Sequence, residues 1–169
     1  MEAGLRVART ADLPSLPGIE ESADGMFAPL GIVFPAGPTV IEVMIEEGAD
    51  ILVAGDPPVG FAAVREVDGA AHLEQIAVRA DQVRKGVGSR LLAGVLARAA
   101  GAGAPGVSLL TFRDVPWNGP WYAARGFEEL PEERWGPGLR DHWEAEVRAG
   151  LHDLGPRVVM WAPVRPTVS

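Results

Sequence analysis

Apolar residues fall in short runs along most of the chain, and their spacing changes from strand-like to helix-like at readable points. Leu5 to Ala8 alternates and predicts a first strand, after which Thr10 or Asp12 stands where it can cap a helix running towards Met26. Ala28 to Pro38 is rich in Gly and Pro and predicts a loop. From Thr39, the positions Val40, Val43, Met44 and Ile45 predict a short helix that ends at Gly48. Strands are expected at Asp50 to Ala54, Val59 to Val67 and Ala71 to Val78, joined by the turns GDPP and VDGA, which makes an antiparallel meander. Val87, Leu91, Leu92, Val95, Leu96 and Ala99 then recur at helical spacing until GAGAPG at Gly101 to Gly106 stops the run. Beyond it follow a buried-type strand at Val107 to Phe112, a short helix at Trp117 to Ala124, a strand at Phe127 to Leu130, a helix at Arg140 to Leu151, and a last strand at Arg157 to Trp161 before a proline-rich tail. This order describes an α+β or mixed α/β sheet.

No repeat, low-complexity tract or long linker interrupts the pattern, so residues 1–169 are expected to form a single domain. The chain contains no cysteine, which excludes disulfides, thiolate metal sites and sulfur nucleophiles, and fits a reducing cytoplasm. The first residues lack the apolar core of a signal peptide, and no run approaches the roughly 20 apolar residues of a membrane span. A soluble, cytoplasmic protein without a membrane partner is expected. The formal charge of -8 opposes binding to nucleic acid, which calls for a basic patch, and suits a cationic or amine partner better.

One segment breaks the alternation with chemistry. The strand HLEQIAV runs through a short turn into VRKGVG, and the helix opens directly behind it. A helix N-terminus presents unpaired N–H groups and a partial positive charge, while Gly86 and Gly88 let the backbone approach an anion such as a diphosphate. Arg84 and Lys85 add positive charge, and Ser89 adds a hydroxyl. The same glycines also suit a tight strand-to-helix turn with no ligand. Neither GxxxxGK[ST] nor the full GxGxxG is present, since Leu91 stands at the third glycine of the latter.

Over its element order, and most sharply from His72 to Phe127, the chain resembles the GNAT superfamily of N-acetyltransferases. HLEQIAVRADQVRKGVGSRLL is similar to that family's acetyl-CoA-binding strand, loop and helix, and YAARGF at Tyr122 to Phe127 is similar to its Tyr-x-x-x-Gly-Phe ending. The resemblance implies a twisted, mostly antiparallel sheet flanked by helices, with residues 71–127 as the cofactor-binding core. It also implies an N-acetyltransferase that uses acetyl-CoA as cosubstrate, needs no metal, and transfers directly to an amine. The family's loop commonly begins with Arg or Gln where Val83 stands, and its Asn before the Tyr falls on Val115, with Asn118 closer.

Carried over by position, the resemblance assigns the pantetheine arm to the backbone of Ile76, Ala77 and Val78. It gives the pyrophosphate to Arg84, Lys85, Gly86, Val87, Gly88 and Ser89, held mainly by backbone N–H groups, and makes Asn118 a further cofactor contact. Glu74 becomes the proton acceptor for the amine, and His72, on the same strand face, the reserve base. The other reading of Glu74 is an ion pair with Arg65 or Arg79. Tyr122, the sole tyrosine, becomes the acid that protonates the CoA thiolate; the other reading is a packed core tyrosine. The family's habit of pairing points to a homodimer.

The acceptor side is less marked. Glu20, Glu21, Asp24, Glu128, Glu129, Glu132 and Glu133 could attract an ammonium group or form solvated faces. Asp114 could contact an acceptor or cap a helix. A CoA-binding module without turnover, and an acyltransferase for another acyl group or acceptor, remain as rival functions.

Overall fold

In a computed structural model, residues 4–165 are described; the end of the proline-rich tail, 166–169, lies outside them. The strands and helices run β1 (Leu5–Val7), α1 (Leu16–Asp24), α2 (Val40–Glu46), β2 (Asp50–Ala54), β3 (Gly60–Val67), β4 (Ala70–Val78), α3 (Val87–Gly101), β5 (Gly106–Phe112), α4 (Gly119–Ala123), β6 (Glu128–Glu129), α5 (Pro137–Arg148) and β7 (Arg157–Pro163). This is the mixed α/β class expected, with mostly antiparallel strands. The chain divides into two compact units, one built from the chain up to Arg65 with Leu73–Arg98, the other from Glu66–His72 with the chain from Ala99 onward.

In the first unit the strands lie in the order β1-β2-β3-β4, with β3 as far as Arg65 and β4 from Leu73. β2 pairs antiparallel with both β1 and β3, Ile51 opposite Ala63 and Val53 opposite Phe61. Alternation along β2 then sorts the core into two layers. Ile51 and Val53 face Leu16 and Ile19 of α1 and Ile41 and Met44 of α2. Leu52, on the other face, lies under α3, where a Cβ at Gly94 would collide with Leu5 and press on Leu52. Gly60 likewise brings β3 close to Val87 and Leu91. The two glycines let helix and strands meet at backbone distance.

The first helix begins later than the sequence suggests. Thr10–Ser15 forms a 3-10 turn and the α-helix starts only at Leu16. Asp12 does not cap that α-helix: it is buried, accepts from both Arg6 guanidinium nitrogens at 2.6 and 3.0 Å and takes the backbone N–H of Arg9. Arg6 above all, then the Arg9 amide, holds its carboxyl far below the usual carboxylate range. The short helix α2 is over-determined. Thr39 and Glu42 form a reciprocal capping box, and Glu20 of α1 accepts the N–H groups of Val40 and Ile41 at 2.7 and 2.8 Å.

In the second unit the order is β5-β7-β6. β5 and β7 pair antiparallel from Gly106 opposite Pro163 to Phe112 opposite Arg157. Gly106 is required there, because a Cβ would enter the Trp161 ring. Val67, Leu130, Leu139 and Val159 form the buried core, with Trp135, Trp143 and Trp161 packed on it. The helix at the end of the chain starts at Pro137, three residues ahead of the predicted Arg140. The carboxylate of Asp68 in the VDGA turn accepts the N–H groups of Gly138 and Leu139 at 2.7 and 3.0 Å and supplies the cap.

Candidate active site

The turn between β4 and α3 bends sharply twice. Arg84 at φ 64° and Gly86 at φ 79° both lie in the left-handed region, with Lys85 between them. Glycine accepts that geometry freely; for arginine it costs on the order of 1 kcal/mol, a strain that concentrates at functional sites. The helical ladder opens with the Arg90 N–H on the Gly86 carbonyl at 3.1 Å, so the N–H groups of Val87 and Gly88 precede the first turn's acceptors. Arg84, Lys85 and Gly86 are exposed, Gly88 and Ser89 half-buried, and Val87 is buried against the unit's core. Lys85 and Arg90 converge on the turn itself, Lys85 Nζ reaching Gln82 and Arg90 Nη1 reaching the Lys85 carbonyl. An exposed backbone arch carrying three cations can hold an anion of diphosphate size. Val83, where the resemblance has a longer polar side chain, is extended at φ -70°.

On β4, Ile76 and Val78 are half-buried and Ala77 is buried beside Gly60, whose missing side chain keeps the Ala77 carbonyl close. Just past the strand the Arg79 N–H bonds the Val59 carbonyl at 2.8 Å, fixing where β4 ends and the turn begins. Glu74 is largely buried, its side chain 9% exposed, and accepts from Arg65 Nε at 2.9 Å. Arg65 also pairs with Glu47. Of the two partners considered for Glu74 the structure forms the Arg65 pair, whereas Arg79 pairs with Asp81. His72 is 2% exposed, with Nδ1 2.7 Å from Ser108 Oγ.

Tyr122 belongs to the second unit and is buried. The YAARGF motif has a local cause. Gly126 at φ 95° ends α4, its N–H returns to the Ala123 carbonyl, and the Phe127 N–H returns to the Tyr122 carbonyl at 3.2 Å. This is a Schellman ending, and its usual apolar contact is present as the Tyr122 and Phe127 rings, 5.5 Å apart and edge to face. Burial pushes the Tyr122 phenol well above the ordinary tyrosine range, against a small opposing effect of Arg157, so the hydroxyl is protonated at neutral pH. Asn118 sits at the N-cap of α4, where its carbonyl takes the Tyr122 N–H at 2.9 Å; its side chain makes no capping bond.

The acidic positions separate. Glu20 is 2% exposed and committed to the first turn of α2, so it acts as a structural cap. Asp24 is pushed up to about 7, first by burial and then by Glu20 and Glu21. Asp114 pairs with Arg113 at 2.9 Å and caps no helix. Glu128, Glu129, Glu132 and Glu133 are exposed. Sequence reasoning passed over His142, which lies on α5 beside His72, with ring centroids 4.6 Å apart. Its signal was the spacing from Leu139, one turn earlier on the buried side of that helix.

Residues 47–129 match the sequence model of a family described as "Acetyltransferase (GNAT) domain". That family is one of acetyltransferases, and the mixed α/β fold agrees with the match. Over those residues the chain is similar to the GNAT superfamily. Similar solved structures include N-acetylglutamate synthase from Neisseria gonorrhoeae with coenzyme A and N-acetyl-glutamate, at 20% identity and TM-score 0.71, covering 96% of this chain and 35% of that one. The chain thus spans about a third of the length of that relative. The ribosomal-protein-S18-alanine N-acetyltransferase of Escherichia coli is 19% identical with TM-score 0.68, covering 100% and 97%. The PaiA N-acetyltransferase of Thermoplasma acidophilum with coenzyme A is 17% identical with TM-score 0.66, covering 96% and 99%. No helix among the described residues is long and apolar enough to cross a membrane.

Proposed function

We propose that residues 1–169 work as one domain that moves an acetyl group from acetyl-CoA directly to a primary amine of a small molecule or peptide, with residues 71–127 holding the cofactor. The observation that carries this reading is the doubly left-handed turn at Arg84 and Gly86 heading α3, inside the segment that matches the acetyltransferase family. The pyrophosphate takes the backbone N–H groups of Arg84, Lys85, Gly86, Val87, Gly88 and Ser89. Ile76, Ala77 and Val78 align the pantetheine arm, and Asn118 contributes at the head of α4.

The amine nitrogen attacks the thioester carbonyl carbon and the C–S bond breaks. The proton leaving the nitrogen goes to Glu74, directly or through water, and the departing thiolate takes the proton of the Tyr122 hydroxyl. The Tyr122 hydroxyl is protonated at neutral pH, as an acid must be, while its burial against Phe127 is equally what a packed core tyrosine shows. The Arg65 contact favours the carboxylate form of Glu74, the form that accepts a proton, and is at the same time the ion pair that the structural reading of Glu74 calls for. The acceptor, like the cytoplasmic location and a homodimeric state, belongs to this proposal. The solved relatives direct the choice of amines to test: glutamate and an alanine-headed peptide.

Isothermal titration with acetyl-CoA, followed by a thiol-release assay over a panel of amines including these two, tests the reading. Binding together with thiol release on at least one amine is expected. Absence of acetyl-CoA binding overturns it, and binding without turnover on any amine favours a CoA-binding module.

A further inference from the structure

The second unit sets two of the chain's three histidines against each other, His72 at the start of β4 and His142 on α5. Their rings are 4.6 Å apart at 59°, and their candidate ligand nitrogens lie within 4.8 Å of each other. Each ring has its Nδ1 engaged by an oxygen: His142 by the Gly138 carbonyl at 2.9 Å, His72 by the Ser108 hydroxyl at 2.7 Å. A carbonyl only accepts, so His142 carries its proton on Nδ1, and in the neutral ring the lone pair is on Nε2. An imidazole whose second nitrogen is held by a carbonyl or hydroxyl is the arrangement that orients histidine as a metal ligand.

Both rings are anchored to the same stretch of chain. Asp68, four residues before His72, binds the first N–H groups of α5. Leu139, buried one turn before His142, seats the helix. His72 is itself 2% exposed, so its ring direction is fixed by packing. Two imidazoles without thiolates select borderline divalent ions such as Zn²⁺, Ni²⁺ or Cu²⁺ over Mg²⁺ and Ca²⁺. At Zn–N distances of about 2.0–2.1 Å, two tetrahedral ligand nitrogens stand roughly 3.3 Å apart, which the rings reach by a shift on the order of 1 Å.

We propose that His72 and His142 form a two-histidine site for a borderline divalent transition-metal ion, with solvent oxygen completing the coordination. The site goes beyond the acetyl-transfer reading, and because His72 stands two residues from Glu74, the base of that reading, it is tested by metal binding and not by turnover. The tag-free chain is titrated with Zn²⁺ by calorimetry, and with Co²⁺ by visible absorption. One equivalent is expected on the wild type and on His152→Ala, which removes only the third histidine, and at least a tenfold weaker affinity on His142→Ala. Because His72 is buried and its variants risk unfolding, ¹⁵N-imidazole NMR of the wild type provides a second measurement: Zn²⁺ should shift the His72 and His142 resonances and leave His152 in place. Unsaturable binding, unchanged affinity in His142→Ala, or a shift confined to His152 overturns the proposal.

Discussion

Arg65 donates from Nε to the Glu74 carboxylate at 2.9 Å, while its other arm pairs with the exposed Glu47. The guanidinium thus bridges a largely buried acid and a solvent-exposed one, and the two contacts are unequal. Solvent and salt screen the Glu47 pair, as they do most surface ion pairs, which contribute about 0–1 kcal/mol. The Glu74 pair acts where screening is weaker. Arg65→Gln removes an interaction that favours the carboxylate form of Glu74. With Glu74 as the base, the acid limb of the kcat/KM profile moves to higher pH in Arg65→Gln and stays in place in Glu47→Gln. An acid limb that stays put in both variants assigns the proton to another group.

The Schellman ending of α4 separates the packing of Tyr122 from its hydroxyl. Tyr122→Phe keeps the ring against Phe127 and keeps every backbone bond of the turn, so the fold and acetyl-CoA affinity should remain within about twofold. Turnover should fall by about 10²-fold, within the usual range for general-acid catalysis. Steady-state kinetics with calorimetry decides, and unchanged turnover removes Tyr122 from the mechanism. Gly126→Ala has the opposite signature. It puts a Cβ on a left-handed residue and should lower stability by about 1 kcal/mol, read from denaturant midpoints.

What could be read from the sequence divides by the range of the interaction. The meander and α3 were legible because alternation and helical spacing are local, and β2 has the predicted bounds of Asp50 and Ala54. The late start of α1, the early start of α5 and the role of Glu20 were not legible. At α1 the Asp12 carboxylate is taken by the Arg6 side chain and the Arg9 amide. The other two are set by a side chain binding a distant backbone: Glu20 reaches Val40 across 20 residues, and Asp68 reaches Gly138 across 70. An acid read by its neighbours looks like a solvated charge, yet both of these are helix caps. His142 escaped for the same reason, since nothing in its own helix announces that His72 lies beside it. The turn at Arg84 to Gly88 was legible as a glycine motif, but the left-handed arginine within it was not.

That turn allows a controlled test. Gly86 and Gly48 have nearly the same backbone, φ 79° and 75°; nothing would meet a Cβ at Gly48, and only the end of the Arg90 side chain would meet one at Gly86. Val in either place should carry a similar strain of about 1–2 kcal/mol and leave a folded chain. Only Gly86→Val should lose acetyl-CoA binding, by more than tenfold in calorimetry. Equal affinity in the two variants means that the turn is structural alone.

Asp24 gives a pH signature of its own. Its carboxyl titrates at about 7 in the folded chain because burial, then Glu20 and Glu21, oppose ionisation. In the unfolded chain it titrates near the ordinary value of about 3.9. Between those values the folded state holds a proton that the unfolded state has released, so stability falls as pH rises through this window. The contribution is fully present below pH of about 4 and lost by about 7. Asp24→Asn keeps the shape without the charge, so its advantage over the wild type should be absent near pH 4, grow up to neutrality and then level off. Thermal midpoints of both proteins from pH 4 to 8 check this. Parallel curves would mean that Asp24 ionises in the folded state as readily as in the unfolded one, and that neither burial nor the neighbouring acids oppose its charge.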